Sequence, residues 1–277
     1  MASLTKKELL EHGRELSAVG DYKNAIKFYT KALALDPKFS EAYSFRAVAY
    51  SELKDYEQAI YNFGRAIKFS PEDAELYNSR GIIFYTSKEY ERAIADYSKA
   101  IELKPTREEF YTNRGLVYFD LEDYERAMSD FNKAIELQPT YAFPHYHRGD
   151  LYMILGNFFA AIEDFNAAIK TNKFFFEAYT LRGISWYCLR QYKRAITDFN
   201  KILKVNVNDA RAYFYRGLSY YRLENFKKAI TDFTKTISFW SDFAEVYKFR
   251  GVAYELLGDE TRAQKDYKKV DRLIKNS

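Results

Sequence analysis

The chain has 277 residues, 47% of them apolar and 18% aromatic, with 43 basic and 39 acidic side chains for a net charge of +4. Intermixed charge of this kind argues against a broad nucleic-acid footprint, and a single cysteine, Cys188, excludes an internal disulfide framework and suits a reducing compartment. The opening MASLTKKELLEHGREL lacks the apolar stretch of a secretory signal, and no run of eighteen apolar residues offers a membrane span, so a cytoplasmic location is expected.

After a short leader, 1–5, the chain repeats with a period of thirty-four residues. The expected copies are 6–39, 40–73, 74–107, 108–141, 142–175, 176–209, 210–243 and 244–277, read as a single array. Copy 108–141 shows the unit: two amphipathic helical patterns joined by a short turn at Glu122-Asp123. Four prolines, Pro37, Pro71, Pro105 and Pro139, mark the period. A glycine ladder keeps the same step through Gly81, Gly115, Gly149, Gly183, Gly217 and Gly251, with Gly13 two steps earlier and Ala47 on the rung between. An alanine recurs in every copy, from Ala25 to Ala263, and an aromatic follows four residues later, as Phe131 follows Ala127. A fixed period of this length signals stacked supersecondary units. The small residues allow close helix approach, and the aromatics at helical spacing read as core around it.

The first and last copies depart from the others on the face that meets a neighbour. Copy one has Glu8, His12 and Glu15 on that side of its first helix, and copy eight has Glu260, Gln264 and Asp271 on its second. Terminal repeats need a polar outer face, so these are expected to be caps of a complete array.

The pattern Y-x-x-x-G-x-x-Y, then A-x-x-x-F-x-x-A, then P resembles the tetratricopeptide repeat (TPR) family over eight consecutive units. Departures are Lys173, Val207 and Ser241 at the proline position, His145 at the first tyrosine of the fifth copy, and Ile202, Thr236 and Val270 at the second small residue of the second helix. The resemblance implies an all-α TPR solenoid, a right-handed superhelix of eight antiparallel helix pairs. It also implies a concave groove lined by the first helix of each repeat at its second, fifth, ninth, twelfth and thirteenth positions. Carried onto this chain, positions five and nine give Ser44 and Val48, Asn78 and Ile82, Thr112 and Leu116, Tyr146 and Asp150, Thr180 and Ile184, Phe214 and Leu218, and Lys248 and Val252. Positions twelve and thirteen add Tyr85, Thr86, Phe119, Asp120, Met153, Tyr187, Cys188, Tyr221 and Arg222. Groove aromatics with few charges suit a peptide with apolar anchors. The carboxylate clamp by which some family members hold chaperone tails is not expected: no copy has Asn at position nine, Lys248 is the only Lys at position five, and Asn113 lacks its companions.

A second polar ladder runs beside the glycines. Arg46, Arg80, Arg114, Arg148, Arg182, Arg216 and Arg250 precede the small residue of the first helix. Asp96, Asp130, Asp164, Asp198, Asp232 and Asp266 answer on the second helix, with Asn62 in copy two. Copy one lacks both, which favours pairing inside a repeat. Charge-assisted hydrogen bonds of this kind would hold the two helices together and leave the arginine row unavailable to an acidic ligand.

No catalytic or metal motif interrupts the repeats. His145 and His147 are two apart and splay across a helix, Cys188 has no local partner, and no phosphate loop or nucleophile elbow occurs. The expected function is a non-enzymatic scaffold or adaptor without cofactor or metal, binding another protein in the groove. RNA binding along the groove, by Tyr, Phe and Arg stacking, is the alternative from another class, against which the balanced charge argues. Self-association through the aromatic-rich second half is a third reading.

Overall fold

The computed structural model describes residues 4–275. Residues 1–3 of the leader, and 276–277 at the end of the expected eighth copy, lie outside the described residues. Among the described residues there are sixteen helices and no strand. They are α1 (Lys6–Ala18), α2 (Tyr22–Leu35), α3 (Ser40–Glu52), α4 (Tyr56–Phe69), α5 (Ala74–Thr86), α6 (Tyr90–Leu103), α7 (Glu108–Asp120) and α8 (Tyr124–Leu137). They continue with α9 (Ala142–Ile154), α10 (Phe158–Thr171), α11 (Phe176–Cys188), α12 (Tyr192–Val205), α13 (Ala210–Arg222), α14 (Phe226–Phe239), α15 (Ala244–Glu255) and α16 (Glu260–Lys275). From α1 to α15 the odd-numbered helices open thirty-four residues apart.

The chain divides into two compact units, Met1–Pro139 and Thr140–Ser277. The first unit stacks the hairpins α1–α2, α3–α4, α5–α6 and α7–α8, each helix packing on the next. The second does the same with α9–α10 through α15–α16. Within each unit odd-numbered helices also meet directly, as α5 meets α7 and α11 meets α13. The fold is an all-α repeat solenoid.

Inside a hairpin, close approach is set by what is missing. A Cβ on Gly115 would lie 2.8 Å from Cε1 of Phe131, and one on Gly217 would lie 2.8 Å from Cε1 of Phe233. The same ring-on-glycine contact recurs at Gly81 with Tyr97, Gly149 with Phe165 and Gly251 with Tyr267. The alanine rung fills the facing side: Ala93, Ala127, Ala161, Ala195 and Ala229 are all fully buried. Phe131, Phe165, Phe199 and Phe233 are fully buried against them. Burying such rings is worth roughly 1.5–3 kcal/mol each.

The turn inside each hairpin has a fixed geometry that uses several residue types. Gly20, Lys54, Lys88, Glu122, Gly156, Arg190, Glu224 and Gly258 all have positive φ, between 59° and 82°. Only three are glycine, so the other five hold a left-handed conformation that costs roughly 1–2 kcal/mol. The next residue caps the second helix. Asp21, Asp55, Asp123, Asn157, Asn225 and Asp259 each accept a hydrogen bond from the backbone N–H three residues on. Glu89 and Gln191 occupy the same place, carry one more methylene, and make no such bond.

Between hairpins, the same side-chain bond serves turns with and without proline: the Asp36 carboxylate, before Pro37, accepts from the Lys38 backbone N–H at 3.0 Å. The Asn172 and Asn206 carboxamide oxygens accept from the Phe174 and Asn208 backbone N–H groups at 3.0 and 3.1 Å. Glu8, His12, Glu15, Glu260, Gln264 and Asp271 are exposed. Glu8 also caps its own helix. With Thr5 it forms a capping box, accepting the Thr5 N–H at 2.7 Å, and that bond lowers its carboxyl pKa.

Gly115→Ala is expected to lose about 1–3 kcal/mol through overpacking against Phe131. Gln191→Asp is expected to gain about 1 kcal/mol by restoring a cap. Urea unfolding of both variants, read as opposite shifts in midpoint at an unchanged slope, checks the pair.

Candidate functional site

The arginine–aspartate ladder forms the polar spine of the six hairpins from α5–α6 to α15–α16. Arg114 donates from Nε and Nη2 to the two carboxylate oxygens of Asp130, each at 2.8 Å. The same bidentate bond joins Arg80 to Asp96, Arg148 to Asp164, Arg182 to Asp198, Arg216 to Asp232 and Arg250 to Asp266, at 2.6–2.8 Å. All six aspartates are buried. Burial pushes the Asp198 and Asp232 carboxyls up, against the pull of Arg182 and Arg216. The bond to Asp130 holds Arg114 up, whereas Arg46, facing neutral Asn62, is pulled down by burial. His145 enters this network, with Nδ1 3.0 Å from the Asp164 carboxylate.

Pairing inside the repeat accounts for only part of the geometry. The remaining guanidinium nitrogen, Nη1, reaches the second helix of the preceding hairpin. Arg114 donates to Ser98 at 3.0 Å, Arg182 to Asn166 at 2.6 Å, Arg216 to Asn200 at 2.7 Å and Arg250 to Thr234 at 3.0 Å. One guanidinium therefore ties three helices. A short polar residue sixteen positions before each of these arginines was the sequence signal for it.

The proposed groove residues divide by burial. Asn78, Thr112, Phe214 and Leu218, expected in the groove, are buried. The Asn78 carboxamide oxygen accepts from Asn113 at 2.9 Å, and the Thr112 hydroxyl donates to the Glu108 carbonyl. Phe214 packs among Phe233, Phe243 and Phe249, with the Phe243 ring 5.0 Å away, and Leu218 joins the same cluster. Ile82, Arg222 and Lys248 are exposed, as are Val48, Thr86, Asp120 and Cys188. Leu116, Phe119, Tyr146, Asp150, Met153, Thr180, Ile184, Tyr187 and Tyr221 are half-buried, as are Ser44, Tyr85 and Val252.

Along this face, adjacent first helices are cross-linked. Tyr85 donates to the Asp120 carboxylate at 2.7 Å in the first unit. In the second, Arg222 Nε donates to the Tyr187 hydroxyl at 3.4 Å. Both bonds run from position twelve of one hairpin to position thirteen of the next. The Tyr187 ring packs on Tyr192 and Tyr215, and the Tyr221 ring on Phe226 and Phe249, so one edge of each remains to solvent. A cavity of about 270 Å³ opens in the second unit, lined by Tyr146, Glu177, Thr180, Leu181, Asp209 and Arg211. Burial pushes the Tyr146 hydroxyl up to about 12, with the Asp150 and Glu177 charges adding to the effect. Burial likewise raises the Asp150 carboxyl.

Among the described residues no group of three His, Cys, Asp or Glu side chains could hold a metal ion. No described helix is long and apolar enough to cross a membrane.

Stacked hairpins with glycine rungs, alanine rungs and a repeating inner face define a helical-repeat solenoid protein. The chain belongs to the tetratricopeptide repeat family, whose profiles match 9–39, 28–61, 108–141, 144–174, 210–239 and 244–277, with further TPR repeat matches at 49–88 and 83–121. No curated protein matches the sequence. Among solved structures, YrrB, a TPR protein with an unusual peptide-binding site, is 27% identical with a TM-score of 0.59, covering 66% of this chain and 95% of its own. MamA is 26% identical with a TM-score of 0.56, covering 58% of this chain and 95% of its own. A tetratricopeptide repeat protein from Parabacteroides merdae shares the fold over 90% of this chain and 98% of its own, at 20% identity and a TM-score of 0.64.

Arg114→Ala is expected to cost about 3 kcal/mol, the lower end for breaking a buried pair, since the arginine side chain keeps 21% of its surface in water. Arg114→Lys should recover little of it, because an ammonium cannot make the bidentate bond. Replacing both partners, Arg114→Leu with Asp130→Leu, should cost less than the single change. Urea unfolding of the wild type, Arg114→Leu, Asp130→Leu and their double measures the coupling, with Arg114→Ala and Arg114→Lys run beside them.

Proposed function

We propose that this protein is a non-enzymatic scaffold or adaptor that holds a polypeptide segment of a partner protein along the inner face of its odd-numbered helices. The observation that carries this reading is the row of partly exposed apolar and aromatic side chains on that face in the second unit. Tyr146, Met153, Ile184, Tyr187 and Tyr221 each keep part of their surface in solvent, and none is wholly absorbed by the core. Amphipathic rings held by their neighbours give contact area at small entropic cost, as peptide grooves require. Exposed Arg222 and Lys248 stand beside them and supply charge at the margin. The likeness to YrrB, which has a peptide-binding site, supports the same reading. The buried Asn78, Thr112, Phe214 and Leu218 support the surface from behind and are not part of the contact.

Tyr187 and Tyr221 also pack against the following hairpin, so truncating them would confound binding with stability. A cleaner variant is Ile184→Glu with Lys248→Glu. Affinity capture with the wild-type protein should recover specific polypeptides, and this variant should lose them while its thermal transition stays within a few degrees. Recovery of the same polypeptides by both proteins would place the interaction elsewhere and reject the inner face.

A further inference from the structure

We propose that the furrow between α15 and α16 is a second binding site, which takes a carboxylate-rich peptide segment of a partner protein. A cavity of about 470 Å³ lies there. Its floor is Tyr247, Arg250 and Tyr254 of α15. Its wall is built from α16, chiefly Lys265, Lys268, Lys269 and Arg272. Six cations and a single carboxylate, Asp266, line the space. Arg250 is held by Asp266 and Arg262 by Asp259. The other four cations form no ion pair among the described residues.

The charge is heaviest on this hairpin, although α4 with Arg65 and Lys68 and α12 with Lys201 and Lys204 also carry two cations at the positions of Lys269 and Arg272. On α6, Lys99 is neutralised by Glu102 at 2.7 Å, and on α8, Lys133 is neutralised by Glu136 at 2.8 Å. The equivalent pair on α16 is Lys269 with Arg272, so a cation replaces the carboxylate. Lys268 stands where Ser98, Asn166, Asn200 and Thr234 accept an arginine hydrogen bond in other hairpins. Lys268 thus adds a charge at a position that is uncharged in the seven other hairpins, beside the cation pair of Lys269 and Arg272. Lys265, Lys268 and Arg272 are exposed and available to a ligand. Lys265, Lys269 and Arg272 are spaced four and three residues apart, so they share one stripe of α16 over about 10 Å. That length matches three or four residues of an extended acidic peptide.

The floor selects polypeptide over nucleic acid. Arg250 and Lys269 lie over the Tyr247 ring at 5.6 and 5.9 Å, and Arg262 lies over the Tyr254 ring at 4.8 Å. Rings already faced by cations leave no platform for bases, which single-stranded binders need. Recognition is left to charge, and carboxylates meet it. The site is separate from the inner face: on a helix, positions four, seven and eleven point away from positions five, nine and twelve.

The test is fluorescence anisotropy of a labelled decapeptide of alternating Asp and Glu with the full chain, at low and physiological salt. The wild-type protein should bind, with affinity falling as salt rises. Lys265→Glu with Lys268→Glu should weaken binding at least tenfold, and the neutral Lys265→Gln with Lys268→Gln by less, which keeps the result readable if reversal perturbs folding. A charge-matched control on α2, Lys23→Glu with Lys27→Glu, should bind as wild type does. Absence of binding at low salt, or equal loss in site and control variants, would overturn the proposal. So would a ten-nucleotide single-stranded DNA that binds more tightly than the peptide and is lost in the site variants.

Discussion

The contact on which the rest of this structure depends is the one between a glycine and an aromatic ring. Where Gly115 meets Phe131, helix axes come closer than any side chain on that rung would allow. The close approach also brings the Asp130 Cβ to 3.2 Å from where a Gly115 Cβ would stand, so the carboxylate is delivered to the arginine one residue before the glycine. Packing and pairing are therefore one arrangement. A hairpin that opened at the glycine would strand a buried aspartate, and a buried charge without its partner is costly.

The ladder then passes order from hairpin to hairpin. In Arg114, Arg182, Arg216 and Arg250 two guanidinium nitrogens hold their own hairpin, and a third reaches back to a hydroxyl or carboxamide of the previous one. Planar geometry fixes all three directions at once, which an ammonium could not do. Because each repeat contacts only its neighbours, a local device repeated at several steps within each unit helps to set the stack there. The cost is that positions four, seven, eight and eleven of each first helix are committed to structure. What remains free is the opposite face, and there sequence varies between copies.

That division explains what could be read in advance. The period, the glycine and alanine rungs and the partners Arg114 and Asp130 are legible because every copy repeats them. The left-handed residue of the hairpin turn was not, because Lys54, Glu122 and Arg190 share no side-chain chemistry with Gly20. Nor did position five report its own exposure. Thr112 and Phe214 turn inward while Lys248 at the same position stays in solvent, since what packs above each is set by the neighbouring hairpin. The period also reads as one array through 139–140, where the fold divides into two compact units; repetition in sequence does not place such a boundary.

The same logic bears on the charge of α16. A net charge of +4 over 277 residues suggests an evenly mixed surface, yet the average hides how pairs are arranged. Lys99 with Glu102 and Lys133 with Glu136 contribute nothing to the field beyond their own turn. Substituting Arg272 for the glutamate changes the local balance by two charges, while the whole chain registers only a small shift. Screening in physiological salt confines such a field to about 8 Å, so a clustered patch can recruit an acidic segment that the overall charge would not predict. A repeat protein is suited to this, because one hairpin can change its surface without altering the rungs that hold it to the next.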